Sequence, residues 1–238
     1  MHYGMVIDLD RCTGCRGCMI ACKVENNTPQ ASLWMYVFRL EVGEYPNTRV
    51  WFMPRPCLHC RNAPCVKVCP VGARFRQEDG IVATDWQRCI GCRYCEVACP
   101  YGVNVFNWMD PAQNYYLDWS DEDVVSVTGG AVPGYKNPEL DERHGTQQRY
   151  IAGGGHRRGV IEKCTFCVHR VEKGLKPACV VTCPVSALLF GDLDDPDSEV
   201  SRLLARRPSF RLLEELGTEP SVHYVGGAPP SEGAREIE

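Results

Sequence analysis

The chain has 238 residues, with 26 lysines and arginines, 30 aspartates and glutamates, and 16 cysteines. Its length suits one or two compact domains, and its slightly acidic charge excludes a general nucleic-acid-binding surface. No stretch has the roughly 18 consecutive apolar residues that would span a bilayer. The first residues lack the basic and apolar regions of a secretory signal peptide, so we expect any membrane association to come through another protein.

Two short strands are predicted in matching positions, each just ahead of a run of cysteines. They cover residues 6–9 and 81–84. Each is followed by an aspartate and, directly before the cysteines, by an arginine, which indicates an internal duplication. Each repeated unit should also have a short helix that begins near the fourth cysteine of its group. Between the two units, alternating apolar residues at 34–40 and 49–53 predict a β-hairpin.

The cysteines fall into four groups of four, and none is left over. The first and third groups have the Cys-x2-Cys-x2-Cys-x3-Cys spacing of bacterial ferredoxins, whereas the other two groups have a longer middle gap. Proline follows the last cysteine of every group except the first. In chain order the groups are Cys12, Cys15, Cys18 and Cys22; Cys57, Cys60, Cys65 and Cys69; Cys89, Cys92, Cys95 and Cys99; and Cys164, Cys167, Cys179 and Cys183.

Three kinds of site compete for so many thiols: disulfides, structural zinc and iron–sulfur clusters. A disulfide framework belongs to small secreted domains that lack a sufficient core. Tetrahedral zinc takes two ligands from each of two separate Cys-x2-Cys pairs, and this plan leaves the third cysteine and the Cys-Pro of the repeat unexplained. Three thiolates spaced by two residues can instead curl around one face of a cuboidal cluster. The spacing therefore favours iron–sulfur clusters.

In two-cluster ferredoxins the fourth cysteine of a run completes the neighbouring cluster. The second and third groups are close in sequence, so they should exchange their last cysteines, and by elimination the first and fourth groups should do the same. Every set is complete, so we expect four 4Fe–4S clusters and no 3Fe–4S centre. The predicted sets are Cys12, Cys15, Cys18 and Cys183 (cluster 1); Cys164, Cys167, Cys179 and Cys22 (cluster 2); Cys57, Cys60, Cys65 and Cys99 (cluster 3); and Cys89, Cys92, Cys95 and Cys69 (cluster 4).

This pairing predicts an α+β fold of two ferredoxin-like two-cluster modules with short hairpins and helices. Residues 1–48 and 150–195 should form the outer module, and residues 49–110 the inner module. Residues 111–149 have little periodicity and are expected to form a long insertion loop, which in compact domains is usually functional or disordered. Residues 196–238 are expected to form an extended, partner-binding C-terminal tail with a short helix near its start.

The four groups, in this order and spacing, resemble the iron–sulfur subunit of the complex molybdoenzymes. This is the family of dimethyl sulfoxide, polysulfide, thiosulfate, tetrathionate and respiratory arsenate reductases. The resemblance covers residues 4 to about 225. Its marks include Gly4-Met-Val-Ile-Asp, Ala21-Cys-Lys-Val-Glu-Asn, Gly43-Glu-Tyr-Pro-Asn, Cys57-Leu-His-Cys-Arg-Asn-Ala-Pro-Cys, Glu162-Lys-Cys-Thr-Phe-Cys-Val-His-Arg, Gly174-Leu-Lys-Pro-Ala-Cys and Gly191-Asp-Leu-Asp-Asp-Pro.

The resemblance implies the same pairing of groups and a role in electron transfer, with no catalytic residue in this chain. It implies a catalytic partner that holds a molybdenum or tungsten bis-pterin, and an integral-membrane partner that handles quinol. The position of the insertion and the run from Gly191 are most similar to the arsenate and polysulfide branches. The complex is expected to be peripheral to the membrane, on the periplasmic side after folded co-export with a partner, with the cytoplasmic side as the alternative.

Two other interpretations also assign four iron–sulfur clusters to this chain. The chain could be an electron-transfer subunit of a hydrogenase or formate dehydrogenase, or it could be a stand-alone polyferredoxin. A zinc-bound scaffold is the non-redox alternative. The sequence has no dinucleotide-binding glycine fingerprint, no phosphate-binding loop and no evident nucleophile–base pair, so we expect no catalysis by this chain alone.

Several polar residues lie beside the ligands in sequence. Lys23 follows Cys22 where the other groups have proline; it either raises the potential of the adjacent cluster or is a solvated lysine. His59 and His169 are expected to donate hydrogen bonds near the clusters or to contact a partner, because no set lacks a ligand. Four basic residues near the fourth group either compensate cluster charge, dock an acidic partner or form a solvated surface: Lys163, Arg170, Lys173 and Lys176.

Overall fold

The structure of the chain is a computed structural model that describes residues 1–29, 32–108, 126, 142–151, 157–227 and 234–237. It combines small sheets with short helices, which agrees with an α+β class and is compatible with a ferredoxin-like fold. The strands are β1 (Tyr3–Asp8), β2 (Tyr36–Val42), β3 (Arg49–Arg55), β4 (Arg74–Arg76), β5 (Val82–Thr84), β6 (Val105–Phe106), β7 (Ile161–Glu162), β8 (Leu188–Asp192), β9 (Ser209–Phe210), β10 (Val222–Val225) and β11 (Arg235–Glu236). The helices are α1 (Gly17–Glu25), α2 (Pro64–Lys67), α3 (Tyr94–Val97), α4 (Val168–Val171), α5 (Ala178–Val181) and α6 (Glu199–Arg206), and a 3-10 turn covers Glu214–Leu216.

The four-stranded sheet joins the beginning of the chain to its C-terminal part. Its strand order is β8-β1-β10-β9, with β1 antiparallel to β8 and parallel to β10. Met5 and Ile7 of β1 are fully buried on the cysteine-rich core, whereas Val6 packs on the other face with Val200 of α6. A strand covered on both faces has a continuous apolar sequence, as β1 does.

The extended tail predicted after residue 195 is wrong for much of that segment. The predicted short helix is confirmed as α6, where the Ser198 side chain caps the first turn by accepting a hydrogen bond from the Ser201 N–H at 3.1 Å. β10 then lies between β1 and β9, with Val222 and Val225 fully buried. One of its partners, β1, is distant in sequence, and a sequence pattern does not show such a pairing. Residues 228–233 and 238 lie outside the described residues.

The predicted hairpin and both predicted short strands are confirmed. β2 and β3 pair antiparallel, from Tyr36 opposite Arg55 to Val42 opposite Arg49. β1 and β5 are the strands that precede the first and third cysteine groups. β11 pairs with β2, so this end of the chain lies along the hairpin.

The chain before and after the predicted insertion meets in one short ladder, where Phe106 of β6 pairs with Ile161 of β7. Most of the predicted loop at 111–149 lies outside the described residues. Residues 142–151 lie back on the fold, where the Thr146 N–H donates to Gln77 Oε1 at 3.0 Å. The domain boundaries stay a prediction.

Candidate metal centres

Three cavities in the described part of the chain are each lined by four cysteines. Each cavity contains three cysteines from one group and the last cysteine of another, which is the arrangement that the exchange rule predicts. One cavity is lined by Cys12, Cys15, Cys18 and Cys183, another by Cys57, Cys60, Cys65 and Cys99, and the third by Cys69, Cys89, Cys92 and Cys95.

The remaining four cysteines, Cys22, Cys164, Cys167 and Cys179, also lie together and are all buried. The side-chain amide of Asn26 lies between two of them, with its Nδ2 atom 3.6 Å from the Sγ atoms of Cys22 and Cys167. Burial raises the pKa of the Cys179 thiol well above its ordinary value, and the other three cysteines raise it further. The structure therefore brings the predicted ligands together in four sets.

The sets suit a cluster better than a single metal ion. Among the described residues, no three His, Cys, Asp or Glu side chains converge closely enough to hold one ion, whereas zinc requires thiolates at about 2.3 Å. The cysteines instead surround a wider space whose other walls are largely apolar. In the cluster 3 cavity these walls include Leu58, Ala63, Val82 and Val103. Four inward thiols around an apolar cavity fit a cuboidal cluster held by four thiolates.

Burial favours the protonated form of these thiols in the absence of iron. It raises the pKa of Cys18, Cys60 and Cys164 to about 12 in each case, with nearby cysteines adding to the shift. Only the thiolate is a metal ligand, so iron binding must displace these protons. The folded arrangement and cluster binding therefore stabilise each other.

Residues with left-handed backbone shape the turns that carry the first cysteines of the duplicated groups. Gly14 and Gly91 both have φ of 68°, and Arg16 and Arg93, which precede α1 and α3, have φ of 59° and 61°. A left-handed residue prevents the turn from continuing as an extended strand, so that successive cysteines face one side. The matching values support the internal duplication that the sequence indicates.

We expect Gly91→Ala to destabilise the protein more than Gly72→Ala. Both changes place alanine at positive φ, which costs about 1–2 kcal/mol. A Cβ atom at position 91 would also collide with the carbonyl oxygen of Gly159, whereas a Cβ at position 72 meets nothing within 4 Å. Because of this collision, Gly91→Ala should lower the free energy of unfolding by about 1–3 kcal/mol more than Gly72→Ala. Anaerobic thermal unfolding of the two variants measures the difference. Equal losses for the two variants would contradict close packing of this ligand turn.

The helices begin one residue before the third cysteine of a group, not near the fourth as predicted. The third cysteine lies in the first helical turn, and the fourth follows four residues later. The fourth cysteine is still within the helix only in α1, whereas in the other three groups it follows the end of the helix. The helices begin at Gly17, Pro64, Tyr94 and Ala178, directly before Cys18, Cys65, Cys95 and Cys179.

Several N–H groups point at cysteine sulfurs. The Ala187 N–H donates to Cys183 Sγ at 3.2 Å, and the Phe166 N–H donates to Cys164 Sγ at 3.4 Å. Asn26 is 1% exposed, and its Nδ2 also donates to the Cys22 carbonyl oxygen at 3.0 Å. The sequence pattern did not single out Asn26, although its place four residues after Cys22 puts it on the same helix face.

We expect Asn26→Leu to lower the midpoint potential of cluster 2. N–H donors to sulfur favour the reduced cluster, which carries one more negative charge. A hydrogen bond worth about 1 kcal/mol more in the reduced state corresponds to roughly 40 mV for a one-electron couple. Redox titration followed by electron paramagnetic resonance (EPR) measures this shift, with the exposed Asn47→Leu as the control. An unchanged potential at full iron content would show that the amide does not act on the cluster.

Neighbouring sets connect to one another in the order cluster 1, 2, 3, 4, and we call this succession of neighbours a row. Cys18 and Cys22 lie one helical turn apart on α1 and so connect clusters 1 and 2. Lys163, which directly precedes Cys164 of cluster 2, lines the cluster 3 cavity together with Cys57. Clusters 2 and 3 are therefore neighbours although their cysteines are far apart in sequence.

Two aromatic rings fill the junction between clusters 2 and 3. The His59 ring stacks on Phe166, with 3.8 Å between ring centroids, and both are 1% exposed. His59 Nδ1 accepts a hydrogen bond from the Val82 N–H at 3.0 Å. His169 is fully buried, with its Nε2 atom 2.8 Å from Glu25 Oε1. Burial excludes the expected contact of either histidine with a partner protein.

The two ends of the row are more exposed than its centre. Cys15 of cluster 1 and Cys92 of cluster 4 are exposed, whereas every cysteine of cluster 2 is buried. Apolar side chains near Cys92 are exposed as well, since Ile90 is 63% and Tyr94 56% accessible. Exposed apolar residues around an exposed ligand are typical of a protein–protein contact.

The basic residues near the ligands do not form one solvated surface. Lys23 Nζ donates to the carbonyl oxygens of Pro29 and Ser32, both at 2.9 Å, and burial lowers its pKa to about 8 although Cys22 raises it. Lys23 is thus not the solvated lysine expected, and its effect on a potential stays a prediction. The buried Lys163 donates to the carbonyl oxygens of Val82 and Cys164. Ion pairs with glutamates hold Arg170 at 3.2 Å and Lys176 at 3.1 Å.

The described helices include none with the length and apolar character needed to cross a membrane. The chain matches the family model of a 4Fe–4S dicluster domain over residues 48–114 and 152–193, which contain the last three cysteine groups.

Three curated proteins are similar to almost the whole chain. The arsenate respiratory reductase iron–sulfur subunit of Shewanella sp. is 40% identical over 94% of this chain and 96% of its own length. One subunit of the selenate reductase of Mesobacillus selenatarsenatis is 42% identical over 94% of this chain and 72% of its own length. The iron–sulfur cluster-binding subunit of menaquinone reductase of Nitratidesulfovibrio vulgaris is 38% identical over 94% of this chain and 89% of its own length.

Proposed function

Because the chain belongs to the family of iron–sulfur subunits of the complex molybdoenzyme reductases, we propose that it passes electrons between two partner subunits through four 4Fe–4S clusters. The observation that carries this proposal is the row of four complete cysteine sets. Of the eight cysteines of clusters 2 and 3, seven are buried and Cys99 is half-buried, whereas each end of the row exposes a ligand. A chain that only bound metal for stability would not need such a row.

The cysteine assignment that we propose is the one the exchange rule predicts, with clusters 1 and 2 in an outer module and clusters 3 and 4 in an inner module. The helices that carry the ligands support this division, because α1 packs against α5 and α2 packs against α3. The cavities support it for clusters 1, 3 and 4. The contacts of Asn26 with Cys22 and Cys167 support it for cluster 2.

When bound, each cluster supplies a centre that accepts or gives one electron at a time. The protein holds neighbouring centres close together: Cys18 and Cys22 share a helix, and the residue before Cys164 lines the cluster 3 cavity. Apolar walls exclude water from the cavities, and N–H groups donate to the sulfurs. Cluster charge, these hydrogen bonds and exposure set the potentials, so the chain itself determines how readily each centre is reduced.

We propose that one end of the row faces a catalytic subunit with a molybdenum or tungsten bis-pterin, and the other end a membrane subunit that handles quinone or quinol. The names of relatives support both partners, since they include arsenate, selenate and tetrathionate reductases and a menaquinone reductase. A sulfur or arsenic oxyanion is the substrate class that we propose for the catalytic partner. The complex would be peripheral to the membrane, on the periplasmic side.

Metal analysis of the anaerobically purified complex tests this proposal. We expect brown protein with about sixteen iron atoms and about sixteen acid-labile sulfides per chain, together with molybdenum or tungsten. Colourless protein with about four zinc ions per chain would overturn the cluster assignment. Full iron with nickel, or with no second metal, would instead contradict the catalytic partner and favour a hydrogenase subunit or a stand-alone polyferredoxin.

A further inference from the structure

Arg74 is a buried cation whose place the spacing of the cysteines does not explain. Its side chain belongs to β4 and is only 2% exposed. Among the described residues, its side-chain hydrogen bonds go to a sulfur and an amide oxygen, and no carboxylate pairs with it. A buried guanidinium without a negative partner is strongly unfavourable. Another negative group must therefore balance this charge.

Two cysteine sulfurs of the inner module lie within hydrogen-bond distance of Arg74. Its Nη2 atom lies 3.4 Å from Cys95 Sγ, and its backbone N–H donates to Cys69 Sγ at 3.3 Å, both in cluster 4. When iron is bound, the thiolates of cluster 4 would be its nearest negative groups. The thiolates of cluster 3 line the cavity that is also lined by Asn104, the hydrogen-bond partner of Arg74.

Asn104 holds the guanidinium between the two cavities. Its Oδ1 atom accepts a hydrogen bond from Arg74 Nη2 at 2.7 Å, and its Nδ2 donates to the Cys95 carbonyl oxygen at 3.0 Å. Arg74 lines the cluster 4 cavity, whereas Asn104 lines the cluster 3 cavity. The Nε and Nη1 atoms of Arg74 have no hydrogen-bond partner among the described residues, so these donors are available to cluster sulfurs.

We propose that Arg74 raises the midpoint potentials of clusters 3 and 4 together, by placing one permanent positive charge between them. The inference rests on the proposed function. Each centre gains one negative charge when it takes an electron from its neighbour and loses it when the electron moves on, so a nearby cation stabilises the reduced form of both. Arginine stays charged at every accessible pH, and the low dielectric of the interior strengthens its effect.

Redox titration of the intact complex, followed by EPR, tests the inference. We expect Arg74→Gln to shift both inner midpoint potentials to lower values and to leave clusters 1 and 2 unchanged. Arg74→Lys keeps the charge, so it should restore most of the inner potentials. Arg76→Gln removes an exposed arginine of the same strand and should change none of the midpoint potentials. Variants that lose a ligand of cluster 3 or cluster 4, Cys60→Ala and Cys92→Ala, identify the two inner signals.

Asn104→Asp is a second test that leaves Arg74 in place and decides the case if Arg74→Gln does not assemble. A carboxylate at 104 would neutralise the guanidinium that Asn104 now contacts, so both inner potentials should fall. Unchanged inner potentials in Asn104→Asp, or in Arg74→Gln with full iron content, would overturn the inference. The inference would also be overturned if Arg74→Lys lowered the inner midpoint potentials as much as Arg74→Gln does. Missing iron in the unmodified complex would instead overturn the proposed function.

Discussion

Cys183→Ala should abolish the cluster of Cys12, Cys15 and Cys18 and leave the cluster of the nearby Cys164 intact. The reason is that Cys183 lines the same cavity as the first three cysteines of the chain, although it belongs to the last group in sequence. The lost thiolate removes one of four ligands. Iron content should fall by about one atom if three irons remain, or by about four if the whole cluster is lost.

Comparison of spectra from matched variants shows which cluster has been lost. Cys183→Ala and Cys15→Ala should lose the same EPR component at the same midpoint potential. Cys22→Ala and Cys164→Ala should share the loss of a different component. Identical losses in Cys183→Ala and Cys164→Ala would mean that each group keeps its own last cysteine, and the exchange between the outer groups would be refuted.

Phe166→Ala should be among the most destabilising changes outside the ligands. The ring is 1% exposed, stacks on His59 and contacts Phe190 edge-on, with 5.3 Å between centroids. It therefore packs between the turn of Cys164, the second cysteine group and the main sheet. Loss of a buried phenylalanine ring costs about 3–5 kcal/mol, a fall of roughly 6–20 °C in Tm for a chain of this length.

Anaerobic heating, followed through the visible absorption of the clusters, measures this effect. Tyr94→Ala is the control, because that ring is 56% exposed and its removal should change stability by less than about 1 kcal/mol. Phe166→Leu keeps much of the buried volume, so its Tm should lie between the Tm values of Phe166→Ala and Tyr94→Ala. A Tm for Phe166→Ala equal to that of Tyr94→Ala would show that the junction between clusters 2 and 3 does not depend on this ring.

The elements that could be predicted are those whose cause is local. The hairpin of β2 and β3, the strands before Cys12 and Cys89, and the helix near residue 201 follow from short-range patterns of apolar residues. The starts of the ligand-bearing helices could not be placed, because each helix depends on a turn that cysteines shape around a cavity. A four-residue helix such as α2 has little stability of its own.

The extended tail was the largest error, and it has a tertiary cause. β10 is a short segment of four residues, and its pairing with β1 joins parts of the chain that are more than 200 residues apart. Arg74 was missed for a related reason. In sequence it belongs to an alternation of arginine, phenylalanine and arginine, in which nothing distinguishes the buried Arg74 from the exposed Arg76.

The sequence by itself determined the chemistry of this protein: four groups of cysteines whose spacing suits iron–sulfur clusters and which bind through turns of a few residues. Only the tertiary structure decided how the four sets are arranged. It placed the sets in a row, buried the middle of that row and put a cation between the inner pair. Ligand spacing is a local property of the backbone, whereas the distance between sets and the burial of Arg74 depend on packing between segments far apart in the chain.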